Sequence, residues 1–113
     1  MPPPSALSIK TSSVTRLIKE EALYHKEVVA QEKVIAKLEK EGGDEYELRQ
    51  QRKVLDETIV MAPAVRKRLA TALEQLEMAL ENVAETEIPE AKEKATKAFQ
   101  DGQAVLAVHA DAK

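Results

Sequence analysis

A chain of 113 residues with a net charge of −3 and no cysteine has room for one small domain around one core, and it excludes disulfide frameworks, thiolate metal sites and cysteine nucleophiles. Just over half of it is Ala, Glu, Lys, Leu and Arg, the make-up of long helices and coiled coils, and after Pro4 only Gly42, Gly43, Pro63, Pro89 and Gly102 punctuate it, which excludes a fold built on many tight turns. With 17 basic residues against 20 acidic, and Tyr24, Tyr46 and Phe99 as its only aromatics, it shows neither the dominant basic face nor the stacking platform of a nucleic-acid binder.

Residues 1–11 read as an irregular, proline-rich arm. Pro2, Pro3 and Pro4 cannot continue a helix, Ser8-Ile9-Lys10-Thr11 favours extended backbone, and Thr11, Ser12 and Ser13 offer N-cap oxygens to the next segment. From about residue 12 to 41 no Gly or Pro intervenes, and seven-residue walks give Val14, Glu21, Val28, Ile35 and Leu17, Tyr24, Gln31, Leu38. Six of those eight are apolar or aromatic, which predicts an amphipathic helix with a coiled-coil-like seam. Ile18, Leu23, Val29 and Val34 widen the stripe, and a wide stripe serves two neighbours rather than one.

Gly42-Gly43 stops that helix and Asp44-Glu45-Tyr46-Glu47 restarts one, with Asp44 as cap and Glu47 placed to reach back in a capping box. So short a turn makes the two helices antiparallel. The second helix, about 44–85, carries Leu48, Leu55, Ala62, Leu69, Leu76 and Val83 at intervals of seven, flanked by Ile59, Val65, Leu73 and Leu80. This register passes through Pro63. An interior proline costs about 3 kcal/mol, so an unbroken register implies a kink with both halves still packed. A third helix, about 89–110, begins with Pro89 in its first turn and buries Ile88, Ala91, Ala95, Ala98, Phe99, Val105 and Leu106. Glu90/Lys94 and Glu93/Lys97 are favourable pairs four residues apart, and Gly102 weakens the helix by roughly 1 kcal/mol relative to Ala.

The expected architecture is all-α: one elongated antiparallel three-helix bundle over residues 12–113, a left-handed coiled-coil-like rod with its second helix kinked at Pro63. Helix lengths predict three layers only near the middle. At the Gly42-Gly43 end two helices remain, and the seam of Ile35, Leu38, Tyr46, Leu48 and Leu55 is incompletely covered.

No chemical constellation stands out. His25 and His109 are the only histidines and share no metal-ligand spacing, so they read as surface or seam residues. Asp44, Glu45 and Glu47 suit helix capping better than a calcium loop. Glu20-Glu21 and Asp56-Glu57 sit on a helical surface without the cleft that catalytic carboxylates need, and Ser12 and Ser13 lack His and Asp partners. No catalytic residue, cofactor or metal is expected. Arg66-Lys67-Arg68 is a basic run, and between Glu74 and Glu93 seven Glu face one Lys, so a charged protein partner could be oriented by the dipolar charge pattern. No apolar run approaches the ~18 residues of a membrane span, and Met1-Pro2-Pro3-Pro4-Ser5 lacks the basic start and apolar core of a signal peptide, so a cytosolic location is expected. Residue chemistry alone leads to a helical protein whose business is protein contact.

One ordered series of residues goes further. Ile9-Lys10-Thr11, Val14, Arg16-Leu17, Lys19-Glu20, Tyr24 and Lys26-Glu27 are followed by Tyr46-Glu47-Leu48-Arg49-Gln50-Gln51, Val54-Leu55, Glu57-Thr58, Met61, Pro63 and Arg68-Leu69. In this series, which covers most of residues 9–80, the chain resembles the tubulin-folding (tubulin-binding) cofactor A family. The resemblance implies an antiparallel three-helix fold. It also implies an ATP-independent chaperone, not an enzyme, that works in the cytoplasm in association with the microtubule cytoskeleton, without nucleotide or metal. Its implied role is to capture β-tubulin after release from the chaperonin and to pass it on towards the αβ heterodimer. Other tubulin-folding cofactors would be reached indirectly, and monomer and homodimer both stay open. The family pattern has Ile before the proline and Asp after it where this chain has Ala62 and Ala64. The candidate β-tubulin contacts are Arg16, Lys19, Glu20, Tyr24, Glu27, Tyr46, Gln51, Glu57 and Arg68. The alternative is a structural coiled-coil module that associates with itself and does not bind tubulin.

Overall fold

Apolar side chains spaced alternately three and four residues apart stay on one side of an α-helix, because two turns take up close to seven residues. In a computed structural model of the chain, which describes residues 5–82 and 89–110, this spacing yields three helices and, among the described residues, no strand: α1 (Ala6–Lys40), α2 (Glu45–Glu81) and α3 (Pro89–Ala110). In α1 the row runs Leu7, Lys10, Val14, Leu17, Glu21, Tyr24, Val28, Gln31, Ile35, Leu38, and every member is buried or half-buried. In α2 the row Leu48, Gln51, Leu55, Thr58, Ala62, Val65, Leu69, Ala72, Leu76, Ala79 behaves in the same way.

The first helix starts six residues before the expected position, so residues 6–11 are helical rather than an irregular arm. Ser5 is the cap in place of Thr11, Ser12 or Ser13: its Oγ accepts the Ser8 N–H at 3.1 Å and its carbonyl accepts the Ile9 N–H at 3.0 Å. The hydroxyl of Thr11 instead donates to the Leu7 carbonyl at 2.7 Å. Helix propensity disfavours Ile9 and Thr11 by a few tenths of a kcal/mol each. Burial of Leu7, worth about 2 kcal/mol, and a serine cap, worth about 1 kcal/mol, outweigh that deficit. Residues 1–4 of the expected arm lie outside the described residues, as do residues 83–85 of the expected second helix.

The first turn is closed as the glycines require. Gly42 has φ +69°, a left-handed conformation that costs an L side chain roughly 1–2 kcal/mol. Its N–H donates to the Glu39 carbonyl (3.3 Å), and the Gly43 N–H donates to the Leu38 carbonyl (2.7 Å), a Schellman closure. Gly43 is needed for a different reason: a Cβ there would stand 3.0 Å from the Leu38 carbonyl oxygen. Asp44 precedes α2, and its carbonyl accepts the Leu48 N–H at 3.0 Å. Among the described residues the Glu47 capping-box bond is not formed. Glu45 and Glu47 still place negative charge on the first turn, where the helix dipole favours it. Helix α2 continues through Pro63, and Val65 and Leu69, in the turns after it, are fully buried.

The chain divides into two compact units. One is Glu20–Val65; the other takes the chain up to Lys19 together with Arg66 onwards. The second of these has three helices and the larger core, in which Leu7, Val14, Leu17, Leu69, Ala72, Leu73, Leu76, Ala95 and Ala98 are buried. Gly102 is buried with them. A Cβ on Gly102 would meet Leu73 Cδ2 at 2.6 Å, so the glycine makes room for Leu73 of α2 rather than being a mere weakness in α3. The Glu20–Val65 unit is a two-helix hairpin whose buried residues are Ile35, Val65 and Glu21, of which Val65 alone is fully buried. Ile35 is therefore covered, while Leu38, Leu48 and Leu55 stay half-buried and Tyr46 is 66% exposed. With one neighbour instead of two, the widened stripe has nothing to fill it: Leu23, Val29, Val34 and Ile59 are exposed. Within the hairpin Gln31 Nε2 donates to the Gln51 carbonyl at 3.1 Å and to Gln51 Oε1. Arg52 and Glu39 form an ion pair at 2.8 Å, about half exposed on both sides and so worth little. No buried side-chain polar atom among the described residues lacks a partner.

The close approach at Gly102 fixes the sign of a substitution. Gly102→Ala gains about 1 kcal/mol of helix propensity but forces Leu73, itself buried, to move, an overpacking cost of about 1–3 kcal/mol. The expected result is a net loss of up to about 2 kcal/mol, read as a lower melting temperature, with Gly102→Ala and Leu73→Val less than additive in a double-mutant cycle. A stabilised Gly102→Ala protein would contradict the packing.

Candidate partner-binding surfaces

Residues 5–19 contain Lys10, Arg16 and Lys19 but no Asp or Glu. In helical register Arg16 and Lys19 are three residues apart, so they stand one above the other on the same side of α1. Lys94 and Lys97 repeat that spacing in α3. The fold brings the two pairs together. A groove of about 560 Å³ between α1 and α3 is lined by Thr11, Ser12, Thr15, Arg16, Lys19, Lys94, Lys97, Ala98 and Asp101. A smaller groove of about 440 Å³, lined by Ser8, Ile9, Ser12, Ser13 and Arg16, shares Ser12 and Arg16 with it.

The groove has a chemical character opposite to that of the whole chain. Four cations and one carboxylate line it, whereas the chain as a whole carries −3. Thr15 donates to the Thr11 carbonyl at 3.0 Å, as Thr11 does to Leu7. Both hydroxyl hydrogens are thus spent on backbone, and most of the surface lining the groove is apolar. The expected Glu90/Lys94 and Glu93/Lys97 pairs do not close to ion pairs within 4.0 Å among the described residues. Helix entropy and solvent account for this: two exposed long side chains gain only a few tenths of a kcal/mol by pairing.

A second surface belongs to the hairpin. Leu23, Val29, Val34, Tyr46, Val54, Ile59, Val60 and Met61 are all exposed within Glu20–Val65. They are distributed over both helices of the hairpin and leave apolar side chains open to a partner.

The nine residues singled out from the sequence are distributed between these features. Arg16 and Lys19 line the groove. Arg68 is exposed in the same three-helix unit. Glu27, Tyr46 and Glu57 are exposed on the hairpin, and Glu20 is half-buried there. Tyr24 and Gln51 are half-buried members of the two rows, and Gln51 is engaged by Gln31. Lys94 and Lys97 escaped the sequence reading because each had an acidic residue four positions earlier. The signal that would have found them is their match in spacing to Arg16 and Lys19. Among the described residues no group of three His, Cys, Asp or Glu could hold a metal ion, and no helix is long and apolar enough to cross a membrane.

Comparison with known proteins adds to this geometry. The family model for tubulin binding cofactor A matches residues 2–110. Tubulin-specific chaperone A of Homo sapiens is 39% identical over 87 residues, covering 77% of this chain and 79% of the human protein. The crystal structure of tubulin folding cofactor A from Arabidopsis thaliana superposes with a TM-score of 0.80 at 38% identity, covering 87% of this chain and 92% of that one. The structure of RBL2P, described as a β-tubulin binding post-chaperonin cofactor, superposes with a TM-score of 0.82 at 33% identity over 91% of this chain and 99% of that one.

The bond from Gln31 to Gln51 separates a structural residue from a contact residue. Gln31→Ala removes the donor of both bonds, leaves the half-buried Gln51 side-chain oxygen without that partner and is expected to cost about 1 kcal/mol, read as a lower urea midpoint. Replacing both by Leu should restore or exceed the original stability. An unchanged midpoint for Gln31→Ala would show that the contact does not hold the hairpin.

Proposed function

We propose, because this chain belongs to the tubulin binding cofactor A family, that it is a β-tubulin-binding post-chaperonin cofactor. It captures β-tubulin folding intermediates, holds them, and hands them on towards the αβ heterodimer. The observation that carries this reading is the likeness to RBL2P, a β-tubulin binding post-chaperonin cofactor, along almost the whole of both chains.

The surfaces support a holding role. A folding intermediate exposes apolar surface that aggregates unless it is covered. The hairpin offers exposed Leu23, Val34, Val54, Ile59 and Met61 for such cover, and a groove edged by Arg16 and Lys19 offers charge. Apolar contact supplies strength without demanding one sequence, and charge supplies orientation. Neither surface needs a nucleotide or a metal, and the working place of such a cofactor is the cytoplasm, beside the microtubule cytoskeleton.

The same exposed apolar residues favour one other reading: a second copy of the chain covers them, and the protein is a self-association module. Analytical ultracentrifugation with a native-gel assay of purified β-tubulin separates the two. Capture of β-tubulin supports the cofactor. An obligate dimer with no affinity for β-tubulin supports the module.

Charge reversal tests the electrostatic part. Lys19 and Arg68 are both exposed, and two rim charges are worth roughly a tenfold change in affinity together. Lys19→Glu with Arg68→Glu should weaken β-tubulin capture about tenfold while the circular dichroism spectrum stays that of the unaltered protein. Unchanged capture would remove electrostatics from the reading.

A further inference from the structure

The basic groove between α1 and α3 has a more specific use than general orientation. We propose that it holds an acidic, extended segment of the client protein. This rests on the reading above only for the identity of the client; the groove itself is argued from its own residues.

Four observations carry it. The cations come in two pairs, Arg16/Lys19 on one wall and Lys94/Lys97 on the other. Each pair spans three residues of helix, about 4.5 Å of rise. An extended peptide turns successive side chains to opposite sides, so a run of Glu or Asp presents carboxylates to both walls at once. Next, none of the four cations is spent on an ion pair among the described residues. Third, Asp101 is the one carboxylate in the groove, and residues 6–19 of α1 contain none, so nothing along that wall repels an incoming acid. Last, the surface lining the groove is mostly apolar, with the hydroxyl hydrogens of Thr11 and Thr15 turned to backbone carbonyls. Poorly solvated walls strengthen the field of the charges above them. Ser12, exposed and shared by both grooves, keeps its hydroxyl hydrogen for a carboxylate.

The groove does not have the features of a nucleic-acid site or of a free-phosphate site. It contains no aromatic for a base to stack on, and the rest of the chain is acidic enough to give a net charge of −3. Its cations stand on long flexible stems spread along two helices, which follows a chain of charges better than a single ion.

Fluorescence anisotropy with a labelled twelve-residue Glu-rich peptide is the test. Matched probes are a neutral Gln-rich peptide and a uridine oligomer of the same charge. The unaltered protein should bind the acidic peptide, with affinity falling steeply as salt rises, and the neutral peptide at least tenfold more weakly. Lys94→Glu with Lys97→Glu should lose at least tenfold in peptide affinity, and Lys94→Gln with Lys97→Gln should fall between the two. Both lysines are exposed, so circular dichroism should be unchanged. Equal binding of the two peptides, an unaffected Lys94→Glu/Lys97→Glu protein, or tighter binding of the uridine oligomer would each overturn the proposal. β-tubulin capture is measured in parallel. Capture by the unaltered protein without peptide binding removes the groove and leaves the client reading standing. Peptide binding in the groove without β-tubulin capture leaves the groove and removes that client.

Discussion

Two rows of side chains, stepping by three and four residues from Leu7 to Leu38 in α1 and from Leu48 to Ala79 in α2, are the constraint on which everything else hangs. A seven-residue repeat keeps each row on one side of its helix along its whole length. It fixes which residues are hidden, and therefore which are left to a partner. Burial of those rows also tolerates what would otherwise be local faults. Helix α2 absorbs Pro63 because Val65 and Leu69 are fully buried in the turns after it. Row positions accept Gln31 and Gln51 because the two bond to each other.

The two units use this constraint differently. Where α3 is present, Leu73 and Gly102 meet closely and a well-filled core results. Between Glu20 and Val65 there are only two helices, and their seam buries few residues completely. A two-helix hairpin is a poor way to maximise stability, since each helix has one covered stripe. It is a good way to expose surface: Leu23, Val34, Val54 and Met61 remain open on helices that are held in register from within. For a chaperone family that is a physical reason to keep part of the chain thin.

Much of this was legible in the sequence. The row through Val14, Leu17, Glu21, Tyr24, Val28, Gln31, Ile35 and Leu38 could be read by counting sevens, as could the turn at Gly42-Gly43 and the start of α3 at Pro89. The start of α1 could not, because Ile9 and Thr11 look extended by local propensity, and only the burial of Leu7 a heptad before Val14 reverses that preference. Gly102 looked like a weak point for the same reason: propensity is a property of one residue, and the approach of Leu73 is not. Lys94 and Lys97 looked paired within α3. Their relation to Arg16 and Lys19 exists only once α1 and α3 are side by side. The ordered series from Ile9 to Leu69 identified the family where composition and spacing alone stopped at protein contact.

The central claim is that α1 and α2 are locked in the register in which Gln31 faces Gln51. The chain has no cysteine, so pairs can be introduced cleanly. Gln31→Cys with Gln51→Cys should cross-link within one molecule, by oxidation or with a short bis-thiol reagent, and raise the melting temperature. Lys33→Cys with Gln51→Cys, which moves one thiol to an exposed position two residues away, should stay open under the same conditions. Equal closure of both pairs, or closure of the second alone, would contradict the register and the division of hidden from available surface that depends on it.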